Sequence, residues 1–163
     1  MKGQSLDEQF AATIVPKHRS WGRLVTVLKK QFNAWAGEIL LQNGYENFKM
    51  AHVSLLMNIR PEGITNKELS EKAMISKQAM SKIVKELCKE GYIETEQQGV
   101  DKRCANIFLT GKGKKLAIIF RGNVSALERE YEKAFGTTRM ESIKDMLLEI
   151  IDFNNEKFPV KSS

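Results

Sequence analysis

The sequence predicts a mainly α-helical chain carrying one small β-hairpin, and three observations predict it. Apolar residues recur at three- and four-residue steps over most of the length, the spacing that draws an apolar stripe along a helix. Two hydroxyl caps, Thr65 and Ser76, open successive short helices within ITNKELSEKAMISKQAMSKIVKEL. Two segments that alternate in a strand-like way then flank a turn, Gln98 to Lys102, that contains Gly99 and Asp101.

The first helix is carried by Trp21, Leu24, Val25, Leu28, Phe32, Trp35, Ile39 and Leu40, and it ends near Asn43-Gly44, a pair suited to a C-terminal turn. A second, from about Phe48 to Ile59, is apolar around most of its circumference through Met50, Val53, Leu56 and Met57, which predicts burial on more than one side. Arg60-Pro61-Glu62-Gly63 breaks it, because proline disfavours helix in the residue before it and glycine admits turn geometry. A third helix starts at Thr65, where Glu68 completes a capping box, and stops around Lys72. Ala73-Met74-Ile75 makes the turn and Ser76 caps the next helix, so helix, short turn and helix are written locally. In that last helix Ala79, Met80, Ile83, Val84 and Leu87 form the apolar stripe, while Lys77, Gln78, Ser81, Lys82 and Lys85 share the opposite side. Tyr92 to Gln97 and Arg103 to Leu109 are the strand-like arms of the hairpin. The combination is a winged helix-turn-helix, in which the second helix can enter a major groove and the hairpin can reach an adjacent minor groove or the backbone.

From Thr110 a long helix continues through Leu116, Ile119, Phe120, Val124, Leu127 and Tyr131 toward Phe135, weakened locally by Gly111, Gly113 and Gly122. Gly136 ends it. Thr138 with Glu141 forms another capping box before Ile143, Met146, Leu147, Ile150, Ile151 and Phe153. These terminal helices are too apolar on one side to stand exposed, which calls for a partner.

Composition narrows the classes. The 163 residues carry 26 Lys+Arg against 20 Asp+Glu, a net charge of +6, which favours polyanionic partners. No window approaches the roughly 18 to 20 apolar residues of a membrane span, and MKGQSLDEQF lacks the apolar core of a signal peptide, so a cytoplasmic protein with no membrane partner is expected. Cys88 and Cys104 are expected as free thiols packed in the small domain. His18 and His52 do not combine with them in the close spacing of a zinc site, so neither metal nor cofactor is expected. A Gly-rich phosphate loop, a paired-carboxylate motif and a Ser or Cys nucleophile signature are all missing, which argues against an enzyme.

The stretch ITNKELSEKAMISKQAMSKIVKELCKEGYIETEQQGVDKRCANIFLTGKGKKL resembles the DNA-binding core of the MarR family, the multiple-antibiotic-resistance regulators. The likeness is close over roughly residues 45 to 120 and holds in outline for the flanking helices. Its most specific part is the wing signature DKRCANIFLTGKG: an Asp, one residue, an Arg, an apolar strand and a Leu-Thr-x-x-Gly turn. The resemblance implies one domain over residues 1–163, with 45–110 as the winged part and 15–43 and 111–158 as dimerisation helices. It implies a DNA-binding transcriptional regulator, a ligand-responsive repressor that meets a pseudo-palindromic operator as a homodimer.

It also implies residue roles. Arg103 would enter the minor groove with Asp101 orienting its guanidinium. Lys77, Gln78, Ser81, Lys82 and Lys85 would face the major groove, where Gln pairs with adenine and Lys with guanine acceptors or phosphates. Ser76 is placed for a phosphate through its hydroxyl and neighbouring amides, or acts as a cap alone. Thr65, Asn66, Lys112, Lys114 and Lys115 are candidate backbone contacts. The family binds small aromatic or weakly acidic effectors between dimer helices and winged domain; Trp21, Trp35, His52 and Met57 are candidates to line such a cleft, or simply core. The peroxide-sensing branch uses a reactive cysteine near the N-terminal helices, and none precedes Cys88. The alternative reading is a winged-helix protein-interaction module without specific DNA binding.

Overall fold

The fold comes from a computed structural model that describes residues 5–14, 19–46, 48–97 and 105–158. The chain divides into two compact units, residues 1–46 and 47–163.

The first unit holds α1 (Leu6–Ala12) and α2 (Trp21–Gln42). Helix α1 lies outside the elements that periodicity predicts, although Ser5 and Glu8 form the reciprocal capping box that marks its start. Helix α2 stops as expected: Asn43 is its C-cap, Gly44 takes φ +77°, and the Tyr45 amide returns to the Leu40 carbonyl at 2.8 Å. Trp21, Leu24, Val25, Leu28 and Phe32 are exposed along it.

The second unit is α3 (Met50–Met57), β1 (Ile64–Thr65), α4 (Asn66–Lys72), α5 (Lys77–Lys89), β2 (Ile93–Gln97), β3 (Ala105–Leu109), α6 (Gly111–Phe135) and α7 (Thr137–Lys157). Its core is built from Val53, Leu55, Leu56 and Ile59, from Leu69, Met80 and Leu87 of the helix pair, from Ile93 and Ile107 of the strands, and from Leu116 and Phe120 of α6. Helix α3 is apolar almost all round because it is buried on several sides.

The expected hairpin is part of a three-stranded antiparallel sheet in the order β1-β3-β2. Ile64 stands opposite Ile107, and Ile93 opposite Leu109. Two residues are too short a run to show an alternating pattern, so β1 was invisible in the sequence. The turn before it depends on Gly63, whose φ of +84° is strained for any side chain and whose β-position lies 2.6 Å from the Phe108 ring, which would have to move.

The Thr65–Glu68 capping box forms at α4 as read, and Ser76 caps α5 by accepting from the Ala79 amide at 3.2 Å. Between them Met74 takes φ +53°, a conformation uncommon for a side-chain-bearing residue, while the Ile75 amide closes on the Ser70 carbonyl at 3.1 Å. The capping box read at Thr138 and Glu141 does not form. The N-cap of α7 is two residues earlier, at Gly136 with φ +89°, so Thr138 is already inside the helix; its carbonyl accepts from Ser142 Oγ at 2.9 Å, and Glu141 pairs instead with Lys144 at 2.8 Å. No residue of α7 is buried, and Ile143, Met146, Leu147, Ile151 and Phe153 are exposed on it.

Candidate nucleic-acid interface

Helix α5 rests on the core through Met80, Val84 and Leu87. At about 100° per residue, that anchoring turns Gln78, Lys82, Lys85 and Lys89 to the far side, and all four are exposed, as is Lys77 at the N-terminus. Helix geometry leaves the Lys77 and Gln78 amides without intrahelical acceptors, since the Met80 amide is the first to reach back, to Ser76 O at 2.9 Å. The start of α5 therefore offers N–H groups, lysines and a neutral amide side chain on one open face, a combination suited to phosphates and base edges.

The electrostatics of this face are one-sided. The single acid of α5, Glu86, is drawn to the N-terminal end of α3: its Oε2 lies 3.2 Å from Lys49 Nζ and 3.5 Å from His52 Nε2. The hydrogen bond from Lys49, with the charge of that lysine behind it, holds the Glu86 carboxyl below its ordinary range. Countered from α3 in this way, Glu86 does little to offset the outward lysines.

Two expectations about α5 need correction. Ala79 does not belong to the buried stripe; it is exposed, and Ile83 is half-buried. A small apolar residue beside Gln78 and Lys82 is a further candidate contact, of the kind that meets a thymine methyl. Its outward position follows from how α5 docks, and alanine, equally common on both faces of helices, carried no signal. Ser81 lies between Lys77 and Lys85 around the helix but is half-buried. It sits on the flank toward α4, where its Oγ donates to the Lys77 carbonyl at 2.8 Å and accepts from Asn66 Nδ2 at 3.2 Å.

The remaining predicted residues fall into several groups. The Thr65 hydroxyl is engaged within its own cap, donating to Glu68 Oε2 at 2.7 Å and accepting from the Glu68 amide at 3.2 Å; the Thr65 backbone amide, which donates to the same Oε2 at 3.0 Å, and then the hydroxyl hold the Glu68 carboxyl low. Lys112 is tied to the base of the hairpin: its Nζ donates to the Glu90 carbonyl at 2.8 Å and stands 3.9 Å over the Tyr92 ring. Lys114 and Lys115 are exposed. Asp101, Arg103 and Cys104 lie outside the described residues. Cys88 is half-buried, and burial pushes its thiol up.

A cleft of about 440 Å³ opens on the outer face of the sheet, between the chain after α3, strands β2 and β3, and the first turns of α6. Ile59, Pro61, Phe108, Leu109, Ala117 and Ile118 make its apolar walls; Arg60, Lys114 and Arg121 bring positive charge, and Glu94 and Glu96 negative. Arg121 is oriented by a hydrogen bond from Nη2 to the Met57 carbonyl at 3.2 Å. His52 and Met57, candidates for an effector cleft, do not line it: His52 is 3% exposed and packs edge-on to Phe48. Among the described residues no cluster of three His, Cys, Asp or Glu could hold a metal ion, and no helix is long and apolar enough to cross a membrane.

Comparison with known proteins agrees with this geometry. Residues 47–103 match the sequence model of the MarR family. Transcriptional regulator AdcR of Streptococcus pneumoniae is 29% identical over 102 residues, covering 55% of this chain and 70% of that protein. A MarR transcriptional regulator from Methanosarcina mazei Go1 superposes with a TM-score of 0.68 at 25% identity, covering 83% of this chain and 96% of that one. FabT of Streptococcus pneumoniae, solved in complex with DNA, gives a TM-score of 0.69 at 18% identity, covering 84% of this chain and 99% of that one. The matched stretch contains the helix pair and the start of the wing, and over it the chain is similar in sequence and fold to transcriptional regulators of the MarR family.

Proposed function

We propose that the protein is a ligand-responsive repressor that binds a pseudo-palindromic operator as a homodimer. The observation that carries the DNA reading is the face of α5, where Lys77, Gln78, Lys82 and Lys85 are exposed opposite a buried stripe and the helix's one acid is countered from α3. That FabT was solved with DNA supports the same use of the fold. In this reading Gln78 and Lys82 meet base edges, Lys77, Lys85 and the amides at the start of α5 meet phosphates, and Arg103, with Asp101 beside it, enters the minor groove.

The homodimer is supported by exposed apolar side chains: Trp21, Leu24 and Leu28 on α2, Tyr131 and Phe135 on α6, and Ile143, Met146, Leu147 and Ile151 on α7. Exposed apolar surface of this extent marks an interface. Two copies would present two recognition helices to half-sites about one turn of DNA apart. For the effector we infer a small organic acid in the cleft beside β2 and β3, its aromatic body on Phe108 and Ile118 and its acid group toward Arg60 and Arg121.

Selection of bound duplexes from a random pool tests this. A recovered inverted repeat supports the reading. Recovery of no sequence, together with no salt-dependent retention on heparin, would put a protein-interaction module in its place. For the effector, titration with benzoate should raise the melting temperature of the wild type and leave Arg121→Ala unmoved; no response in either would remove the cleft from consideration.

A further inference from the structure

We propose that Asn66 is a positioning residue for sequence reading: through Ser81 it fixes the roll of α5 about its own axis, and so decides which side chains of that helix meet base edges. The inference rests on the DNA-binding reading above. Asn66 opens α4, and its Nδ2 donates to Ser81 Oγ at 3.2 Å across the helix pair. The Ser81 hydroxyl donates its own hydrogen bond to the Lys77 carbonyl at 2.8 Å. With the proton committed to its own helix and one lone pair to α4, Ser81 has no hydrogen to donate to a base. Asn66, in turn, points its amide into the helix pair rather than out toward a phosphate.

The apolar packing of Leu69, Met80 and Leu87 holds α5 in place, but it is non-directional and tolerates a small roll. A hydrogen bond of defined angle does not. In a helix about 10–12 Å across, a roll of about 20° carries a side-chain tip roughly 2 Å sideways. That exceeds what a bidentate contact from Gln78 to a base would survive.

A second observation indicates that the pair serves geometry more than stability. The Asn66 Oδ1 is buried and, among the described residues, meets no hydrogen-bond donor. Leaving a buried acceptor unmade costs about as much as one good hydrogen bond returns, so the Asn66 side chain contributes little net free energy to folding. Removing it should therefore loosen the roll of α5 without unfolding the protein.

The test uses the full chain and a duplex selected by the wild type, with a scrambled duplex beside it. Asn66→Ala and Ser81→Ala should each lose roughly five- to tenfold in affinity on the selected duplex and less than about twofold on the scrambled one. The double variant should be no worse than either single. Salt slopes and melting temperatures should stay near wild type, and Ser81→Thr, which keeps the hydroxyl, should retain discrimination. Additive losses, or equal losses on both duplexes, would mean separate backbone contacts and would overturn the latch; unchanged discrimination by Asn66→Ala would do so too. If the wild type itself failed to select any duplex, the DNA-binding reading would fall first, and the latch with it.

Discussion

Gly113 packs against the Tyr92 carbonyl so closely that a β-carbon at position 113 would collide with that oxygen. The same oxygen accepts the Thr110 amide at 3.1 Å, and Lys112 covers the Tyr92 ring. The return of β3 into α6 is thus pinned to the beginning of β2, and the glycine that looked like a weakness in a helical sequence is what allows the close approach. Gly113→Ala should destabilise the protein by roughly 1–3 kcal/mol despite alanine's better helix propensity, because backbone must shift to admit the methyl group. In the same helix Gly122 faces open space, so Gly122→Ala should stabilise by about 0.5–1 kcal/mol. Urea unfolding of both variants checks the contrast; equal effects would mean the close approach is relieved at no cost.

His52 should make stability fall on mild acidification. Its burial, then the charge of Lys49, lower its pKa below 6.5, against the opposing pull of Glu86 and Glu90. Between the folded and unfolded pKa values the unfolded chain binds more protons, so stability is full above about pH 6.5 and declines as the pH drops through that window. Glu68 and Glu86 are held below the ordinary carboxylate value of 4.5, so their losses come only at lower pH. Melting temperatures measured from pH 7.5 to 5 should decline in the wild type and flatten in His52→Phe. A wild-type profile level to pH 5 would show that His52 titrates as an exposed imidazole does.

Arg103 and Gln78 should separate by salt. Arg103→Ala removes a charge, so affinity should drop on every duplex and the salt dependence should become shallower by about one counterion per subunit. Gln78→Ala removes a neutral group; its cost, on the order of 1–3 kcal/mol, should appear on the operator alone with the slope unchanged. Titrations at several salt concentrations on selected and scrambled duplexes decide it, and a variant at Arg103 that bound as tightly as wild type throughout would remove the wing from the interface.

Charge placed on α7 should break the dimer. Leu147 and Ile151 are exposed, one turn apart, on a helix that buries none of its own residues. Leu147→Glu with Ile151→Glu should raise the dimer dissociation constant by more than about tenfold, since two carboxylates would have to leave water. Sedimentation over a concentration series measures it. A wild type that remained monomeric at every concentration would sink the homodimer.

Hydroperoxide should leave operator affinity unchanged. The Cys88 thiol is pushed up by burial, which suppresses the thiolate that an oxidant attacks. Loss of binding on oxidation in the wild type but not in Cys88→Ser would place a sensor on α5.

What the sequence determined by itself was whatever a short window encodes. The caps Thr65, with its reciprocal Glu68, and Ser76 placed the starts of α4 and α5, Asn43-Gly44 placed the end of α2, and a three-and-four spacing separated Met80, Val84 and Leu87 from Lys82 and Lys85, because each is set by hydrogen bonds or periodicity within a turn or two of the chain. The tertiary structure decided what depends on a neighbour distant in sequence. Strand β1 exists because β3 offers it a ladder, and Gly113 is needed because Tyr92 lies against it. Ala79 faces outward because of how α5 docks, and Ser81 is half-buried because Asn66 meets it from another helix. Spacing along a helix gives the angle of each side chain about the axis, but the direction that angle faces is set only when the helix is packed against the rest of the fold.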